Sequence, residues 1–313
     1  MNDTVLRIFA KEAGLRGLLG RTTELAREGA RRHHASPVAA AALSDALTAA
    51  ALLGALLKVQ QRVGLKAEGD GPLRKLVTES DAYGRVRGYV AEPDVSWPLP
   101  ITTTAAAAAL GHTGLLTVVQ EVGLRRDLHQ GAVALHGDSF EDSLSHYFVK
   151  SEQTPTLVKV ALATDDVGNL ATAGGLLFQP LPGAKASALQ QVVRNLAALP
   201  PLAELLATEP DLEKIVARVL QGIEYTIVEQ RPVAFSCSCS RARSRQALKV
   251  LSEDDLLGLI VEGEAVVDCH FCHERYVFDR EELGQILDEL ESDALNAMFD
   301  EPGYAETSQQ DPT

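Results

Sequence analysis

The stretch AFSCSCSRARSRQ, Ala234–Gln246, marks the place where the fold is expected to change from a large body to a small unit that depends on a metal. It contains Cys237 and Cys239, and the stretch DCHFCHERY, 268–276, contains Cys269 and Cys272. The chain of 313 residues has no other cysteine. Two close pairs of thiols, separated by 29 residues, suit a tetrahedral zinc site that two chelating turns build.

The size of the cysteine segment supports the same prediction. From Cys237 to Phe278 it spans only 42 residues, and a segment so short rarely folds on a hydrophobic core alone, so a metal would supply the missing stability. The CHFC motif falls in a turn between two strand-like segments, as in a zinc knuckle, whereas the first pair has one residue between its thiols instead of the usual two. With four thiols available, we expect His270 and His273 to be bystanders. Thiols that bind no metal remain an alternative.

The chemistry of such a site also permits a redox role. Four thiolates around Zn²⁺ carry a net charge of −2, and four basic residues follow the first pair closely: Arg241, Arg243, Arg245 and Lys249. They are either a solvated helix face or cations that keep the sulfurs ionised and reactive. Neighbouring thiols could then close disulfides, 237 with 239 and 269 with 272. That would expel the metal and unfold the small domain, because metal-binding free energy is folding free energy there.

The rest of the chain predicts an α+β fold: an N-terminal antiparallel-sheet body with packed helices, a helical linker and a small C-terminal zinc-binding domain. Period-two segments split by turns indicate strands over most of 1–184. A helix is predicted from Ser36 and Pro37 to about Leu57, and another in DSFEDSLSHYFVKS.

The domain boundaries are predicted at 184, 235 and 295. The linker, 185–235, has modest helices with two apolar stripes, and such marginal helices suit a segment that melts. The stripes are Leu189, Val192, Val193 and Leu196, then Leu212, Ile215, Val216 and Val219. A zinc-binding redox-switch domain would occupy 236–295, and an acidic, disordered tail 296–313.

Composition excludes several classes of function. The net charge is −14, and ten acidic residues with no Lys or Arg lie in 281–313, so the chain offers no basic surface for nucleic acid. The most apolar stretch, Ala46–Leu57, has 12 residues, too few to span a bilayer, and is expected to be a buried helix. With no signal peptide visible at the start, we expect a cytoplasmic protein with no membrane partner, whose thiols stay reduced.

Five segments carry a resemblance to a known family. They are GDGPLRKLV (69–77), GDSFEDSLSHYFVKSEQTPT (137–156), GGLLFQPLPGA (174–184), FSCSCSRAR (235–243) and DCHFCHERYVF (268–278). Over almost its whole length the chain resembles the redox-regulated heat-shock holdases, the 33 kDa chaperonin family. It departs from them at His273, where relatives often have Gly or Asn, and in its longer acidic tail.

The resemblance implies a chaperone that works without ATP and is not an enzyme. The reduced form, with one zinc held by Cys237, Cys239, Cys269 and Cys272, would be inactive. Oxidation would form two disulfides, release zinc and unfold the linker, and the protein would dimerise and hold unfolding client proteins. The apolar stripes of the linker, once released, would offer a surface for such clients.

Two other functions compete with this one. A thiol–disulfide oxidoreductase could use CHFC, although thioredoxin-like enzymes place that motif at a helix start after an early strand. A zinc ribbon for nucleic acid could use the local arginines, although the acidic surroundings oppose it. The sequence contains no nucleophile elbow, P-loop or His-Glu-x-x-His motif.

Overall fold

A computed structural model describes residues 2–122, 127–184 and 186–299. The chain divides into two compact units. The first consists of Met1–Cys237 and the short loop His270–Cys272, so the predicted linker, 185–235, belongs to it. The second consists of Ser238–Cys269 and the residues from His273 onward.

The elements follow one another in a mixed order that confirms the predicted α+β class. The thirteen strands of the described residues are β1 (Thr4–Ala10), β2 (Leu15–Arg21), β3 (Arg62–Gly69), β4 (Lys75–Asp81), β5 (Arg85–Val90), β6 (Gly114–Val122), β7 (Asp127–Ala134), β8 (Leu157–Thr164), β9 (Leu170–Pro180), β10 (Thr226–Pro232), β11 (Ala234–Phe235), β12 (Glu264–Asp268) and β13 (Arg275–Asp279). Their ten helices are α1 (Thr23–Arg32), α2 (Pro37–Leu56), α3 (Thr103–Leu110), α4 (Phe140–Lys150), α5 (Ala186–Ala197), α6 (Leu202–Thr208), α7 (Leu212–Val219), α8 (Arg241–Leu248), α9 (Glu253–Glu262) and α10 (Arg280–Phe299).

The first unit contains a five-stranded antiparallel sheet in the order β10-β1-β2-β9-β8. Alternate residues of these strands face opposite sides, and both sides are buried. On one side Val5 and Leu18 join a core built around α2, and on the other Leu6 and Leu19 join a core with α5, α6 and α7. The apolar stripes predicted for the linker therefore cover one face of this sheet, except Val193, which is 47% exposed and was wrongly placed in the stripe.

A second sheet of the first unit has six strands in the order β11-β5-β4-β3-β6-β7. Its strands pair antiparallel, apart from β11, which pairs parallel with β5 through Ala234 opposite Arg85 and Phe235 opposite Val86. This last pairing brings the chain alongside β5 two residues before Cys237.

The central helix of the first unit is α2, which packs against strands of both sheets. It is the one described helix whose length and composition would allow it to cross a membrane, and its apolar window lies entirely inside the protein. The length argument from 12 apolar residues was therefore wrong, because the helix has 20 residues. Its burial, from Val38 to Ala55, identifies it as a core helix, as predicted.

The sequence pattern does not predict strand β2, because its glycines interrupt the alternation of apolar and polar residues that marks a strand. Gly17 lies directly opposite Phe178 of β9, and the Phe178 ring packs against the bare backbone. A Cβ at position 17 would come within 2.3 Å of a ring atom, so only glycine fits there. Two helices were also missed, α3 in an alanine run and α6 between prolines and an acidic turn.

The second unit is a β12–β13 hairpin with α8, α9 and α10. Its buried core is small and comprises Leu248, Leu256, Ala265, Phe278, Leu283 and Ile286. Ser252 caps α9 by accepting a hydrogen bond from the backbone N–H of Asp255, as its sequence predicts. The tail expected at 296–313 begins inside α10, since good helix formers continue this helix to Phe299. Residues 300–313 lie outside the described residues.

One buried carboxyl group is unusual in the first unit. Asp45 of α2 is 2% exposed, and neither of its carboxyl oxygens has a hydrogen-bond partner among the described residues. Burial, and to a lesser degree the charge of Glu141, raises the pKa of Asp45 well above its ordinary value. The folded protein therefore favours the protonated form of this side chain.

The neutral isostere Asp45→Asn is expected to stabilise the protein at neutral pH. Because the folded state raises the pKa of Asp45, its contribution to stability is greatest below the unfolded pKa of about 3.9 and falls as pH rises through the folded value. We expect a gain at pH 8 that shrinks toward pH 4.5. Urea unfolding of both proteins at the two pH values measures it, and a gain that did not change with pH would contradict this explanation.

Candidate metal centre

The four cysteines lie in two short connecting segments. Cys237 and Cys239 follow β11 and precede α8, whose first turn is capped by Ser240. Cys269 and Cys272 lie in the turn that joins β12 to β13. The predicted position of CHFC between two strands is therefore confirmed.

These segments bring the four sulfur atoms together. All four Sγ atoms lie within 4.8 Å of one another. Four sulfurs at about 2.3 Å from a tetrahedral metal would be about 3.8 Å apart, so this cluster fits one such ion after small shifts. Cys272 is buried, and the other three cysteines are half-buried.

Hydrogen bonds of the backbone shape the turn that carries the second pair. The N–H of Cys269 donates to the carbonyl of Glu274 at 3.0 Å, and the N–H of His273 donates to the carbonyl of Cys269 at 2.8 Å. His273 has a φ of 56°, which is the left-handed region that Gly and Asn adopt more readily. A histidine at this position therefore costs more backbone strain than a Gly or Asn would.

The histidines are not part of the sulfur cluster. The cluster consists of cysteines alone, and neither His270 nor His273 contributes a ligand atom to it. Four thiols form the soft donor set that binds zinc or iron tightly, and each must be deprotonated to bind. The cluster could therefore hold one metal ion.

Tyr276 and Arg87 are among the side chains that contact the sulfurs. The hydroxyl of Tyr276 donates to Sγ of Cys239 at 3.3 Å, within the second unit. Nη1 of Arg87, on β5, donates to Sγ of Cys237 at 3.7 Å, within the first unit. Burial works against the charge of Arg87, but Glu79 and Cys237 outweigh it and raise its pKa above the ordinary value.

The basic residues that follow the first pair bind side chains of the second unit. Arg241 binds Glu282, and Arg245 and Lys249 both bind Glu289, whose pKa their hydrogen bonds lower to about 2. These ion pairs favour the first of the two interpretations, a helix face whose cations pair with acidic side chains of α10. Arg243 donates instead to the hydroxyl of Ser238.

Arg87 could not be identified from the sequence. It lies 150 positions before Cys237, and only the parallel pairing of β11 with β5 brings the two together. No periodic pattern around RVRGYV distinguishes it from its neighbour Arg85, which instead binds Asp81.

Comparison with known proteins points to one family. The model of the family described as "Hsp33 protein" matches residues 3–279. A 33 kDa chaperonin of Geobacter sulfurreducens is 40% identical over 291 residues, which cover 93% of this chain and 96% of that protein. One from Desulforamulus reducens is 38% identical, with coverage of 93% and 99%.

A solved structure resembles this chain over the same extent. It is the crystal structure of the 33 kDa chaperonin, a heat shock protein 33 homologue, from Thermotoga maritima. The TM-score is 0.83 at 29% sequence identity, and the match covers 93% of this chain and 100% of that one.

Proposed function

The chain belongs to the Hsp33 protein family, and from that premise we propose that it is a redox-regulated holdase that works without ATP. In this proposal the reduced protein is inactive, and oxidation of its four cysteines activates it. The single observation that carries the proposal is the convergence of four thiols within 4.8 Å in a chain of this family.

Zinc is the metal that we propose for the cluster. Cys237, Cys239, Cys269 and Cys272 would each bind it through a thiolate. When bound, zinc would supply four bonds that tie the two cysteine pairs together. Among its described residues, the second unit buries six apolar side chains in its core, so its folding depends on these metal bonds more than that of the first unit does.

The proposed switch is thiol oxidation by a peroxide. One thiolate of a pair attacks the O–O bond of hydrogen peroxide, becoming a sulfenic acid as hydroxide leaves. The second thiolate attacks that sulfur, and the sulfenic oxygen leaves as water once it is protonated. Each pair thus gives two electrons to one peroxide. We propose the disulfides Cys237–Cys239 and Cys269–Cys272, since neighbours in the chain can close them without help from other segments.

The disulfides would change the fold through loss of ligands. Sulfurs in disulfides are no longer thiolates, so the second unit loses the bonds on which its folding depends. We propose that the helices of the linker, 185–235, then leave the face of the five-stranded sheet that α5, α6 and α7 cover. Both the sheet face and the helix stripes would become apolar surface for unfolding clients, and two oxidised chains would dimerise.

Aggregation of a heat-denaturing client enzyme, followed by light scattering, tests the proposal. Protein treated with hydrogen peroxide at mild heat is expected to suppress the scattering, and protein kept in dithiothreitol is expected to leave it unchanged. Equal scattering with both forms would contradict the proposal. Catalytic turnover of a dithiol substrate by the same sample would favour an oxidoreductase instead.

A further inference from the structure

The loop His270–Cys272 contains the two residues that lie between Cys269 and Cys272. Other residues of the first unit contact it. Nε2 of His33 lies 3.0 Å from the carbonyl of Phe271 and 3.0 Å from the carbonyl of Gly88. Since both neighbours are acceptors, this nitrogen carries the hydrogen and donates to them. His33 is 3% exposed, so the bond is shielded from water.

Arg87 holds the same loop through its guanidinium group. The group lies over the ring of Phe271, 4.0 Å from the ring centre, and Tyr89 packs edge-on against that ring from 5.4 Å. Nε and Nη2 of Arg87 donate to one carboxylate oxygen of Glu79 at 2.9 and 2.6 Å, which fixes the plane of the group. Its remaining nitrogen, Nη1, donates to Sγ of Cys237.

Arg87 therefore contacts both segments that carry the cysteine pairs. It touches the sulfur of Cys237 directly, and it touches the second pair through Phe271, the neighbour of Cys272. Closing a disulfide within each pair brings sulfurs that now lie up to 4.8 Å apart to about 2 Å, and this changes the positions of Cys237 and of the loop that the guanidinium group contacts.

We propose that Arg87, supported by His33, is the positioning residue that holds the two cysteine pairs in their joint arrangement and so sets how easily the pairs separate. A planar group with donors on several sides is needed for this, because lysine has no plane to lay on the ring while pairing with Glu79. The inference about oxidation rests on the proposed function, whereas the inference about the loop does not.

Hydrogen exchange of the reduced, full-length protein, followed by mass spectrometry, tests the loop. Arg87→Leu is expected to speed exchange at the amides of 270–273 by about tenfold, through loss of the stacking and the charged hydrogen bonds. Arg87→Lys is expected to restore part of the protection. The control is Arg85→Leu, two residues earlier on β5, where the side chain binds Asp81 and should leave the loop unchanged.

A double-mutant cycle of Arg87→Leu and Phe271→Leu distinguishes a positioning role of Arg87 from a general loss of stability. This variant keeps the backbone carbonyl that His33 binds but removes the ring under the guanidinium group. If the two side chains act on the loop through each other, the double variant exchanges no faster than the faster single variant. Exchange rates whose increases multiply in the double variant, or an equal effect of Arg85→Leu, would overturn the proposal. If Arg87→Leu does not fold, Arg87→Lys takes its place in the cycle with Phe271→Leu.

The rate of disulfide formation tests the link to oxidation. Under hydrogen peroxide, Cys269–Cys272 should close several times faster in Phe271→Leu than in the unaltered chain, measured by alkylation of the remaining thiols. Faster exchange with an unchanged rate of closure would confirm the loop contact and overturn its role in oxidation. No closure of this disulfide in any variant would count against the proposed function itself.

Discussion

Replacing Cys269 by serine is expected to abolish metal binding at one ion per chain and to unfold the second unit while α2 of the first unit stays folded. A serine hydroxyl stays protonated at neutral pH and cannot replace a thiolate, so three ligands remain. Structural zinc sites contribute about 10–16 kcal/mol of apparent binding free energy in small domains. The core of six buried apolar residues in this unit offers no comparable reserve.

Metal analysis and hydrogen exchange measure this effect together. The zinc content of Cys269→Ser should fall to near zero, and amides around Phe278 should lose protection while those of α2 keep it. The control is His273→Asn, which changes a neighbouring residue outside the sulfur cluster. Asparagine adopts the left-handed conformation of this position with less strain than histidine. A Cys269→Ser protein with a full complement of zinc would rule out the site of four thiolates.

Truncating Ile215 to alanine is expected to activate the reduced protein without an oxidant. Ile215 of α7 is fully buried in the core between the linker helices and the five-stranded sheet. Its loss should cost about 2–5 kcal/mol, enough to shift detachment of these helices at least thirtyfold. The exposed apolar surface would then bind a client with the cysteines still reduced.

The assay is suppression of client aggregation in dithiothreitol, with zinc content checked in the same sample. Val193→Ala serves as the matched control, because Val193 of α5 is 47% exposed and its truncation should cost little. If Ile215→Ala loosened the linker helices in hydrogen exchange yet left aggregation unchanged, this surface would not be where clients bind.

Much of the fold follows from local patterns in the sequence. The strands β3 to β5 alternate clearly between turn residues, and α4 has its apolar face and its Ser139 cap in one short stretch. The strand β2 does not show this pattern, because it is buried on both faces and makes room for Phe178 with a glycine. Its place depends on a partner strand more than 150 residues away, which no local pattern reveals.

The candidate site divides in the same way. The spacing of the four cysteines can be recognised in the sequence alone, and the structure brings all four sulfurs together. The groups around them depend on tertiary pairing. Arg87 on β5 and His33 at the end of α1 reach the cysteine segments only through tertiary packing, and Arg241 binds Glu282 of α10. Position in the sequence near the cysteines therefore does not reveal Arg87 as a contact of Cys237.

The central claim is that four thiols and one zinc hold a chaperone inactive, and graded oxidation tests it most directly. Samples treated with increasing hydrogen peroxide at mild heat would be divided, one half for released zinc and the other for suppression of client aggregation. The account predicts that both rise together, reach their maximum at one zinc per chain, and reverse on reduction with zinc present. Fully oxidised, zinc-free protein that protected a client no better than the reduced protein would contradict it.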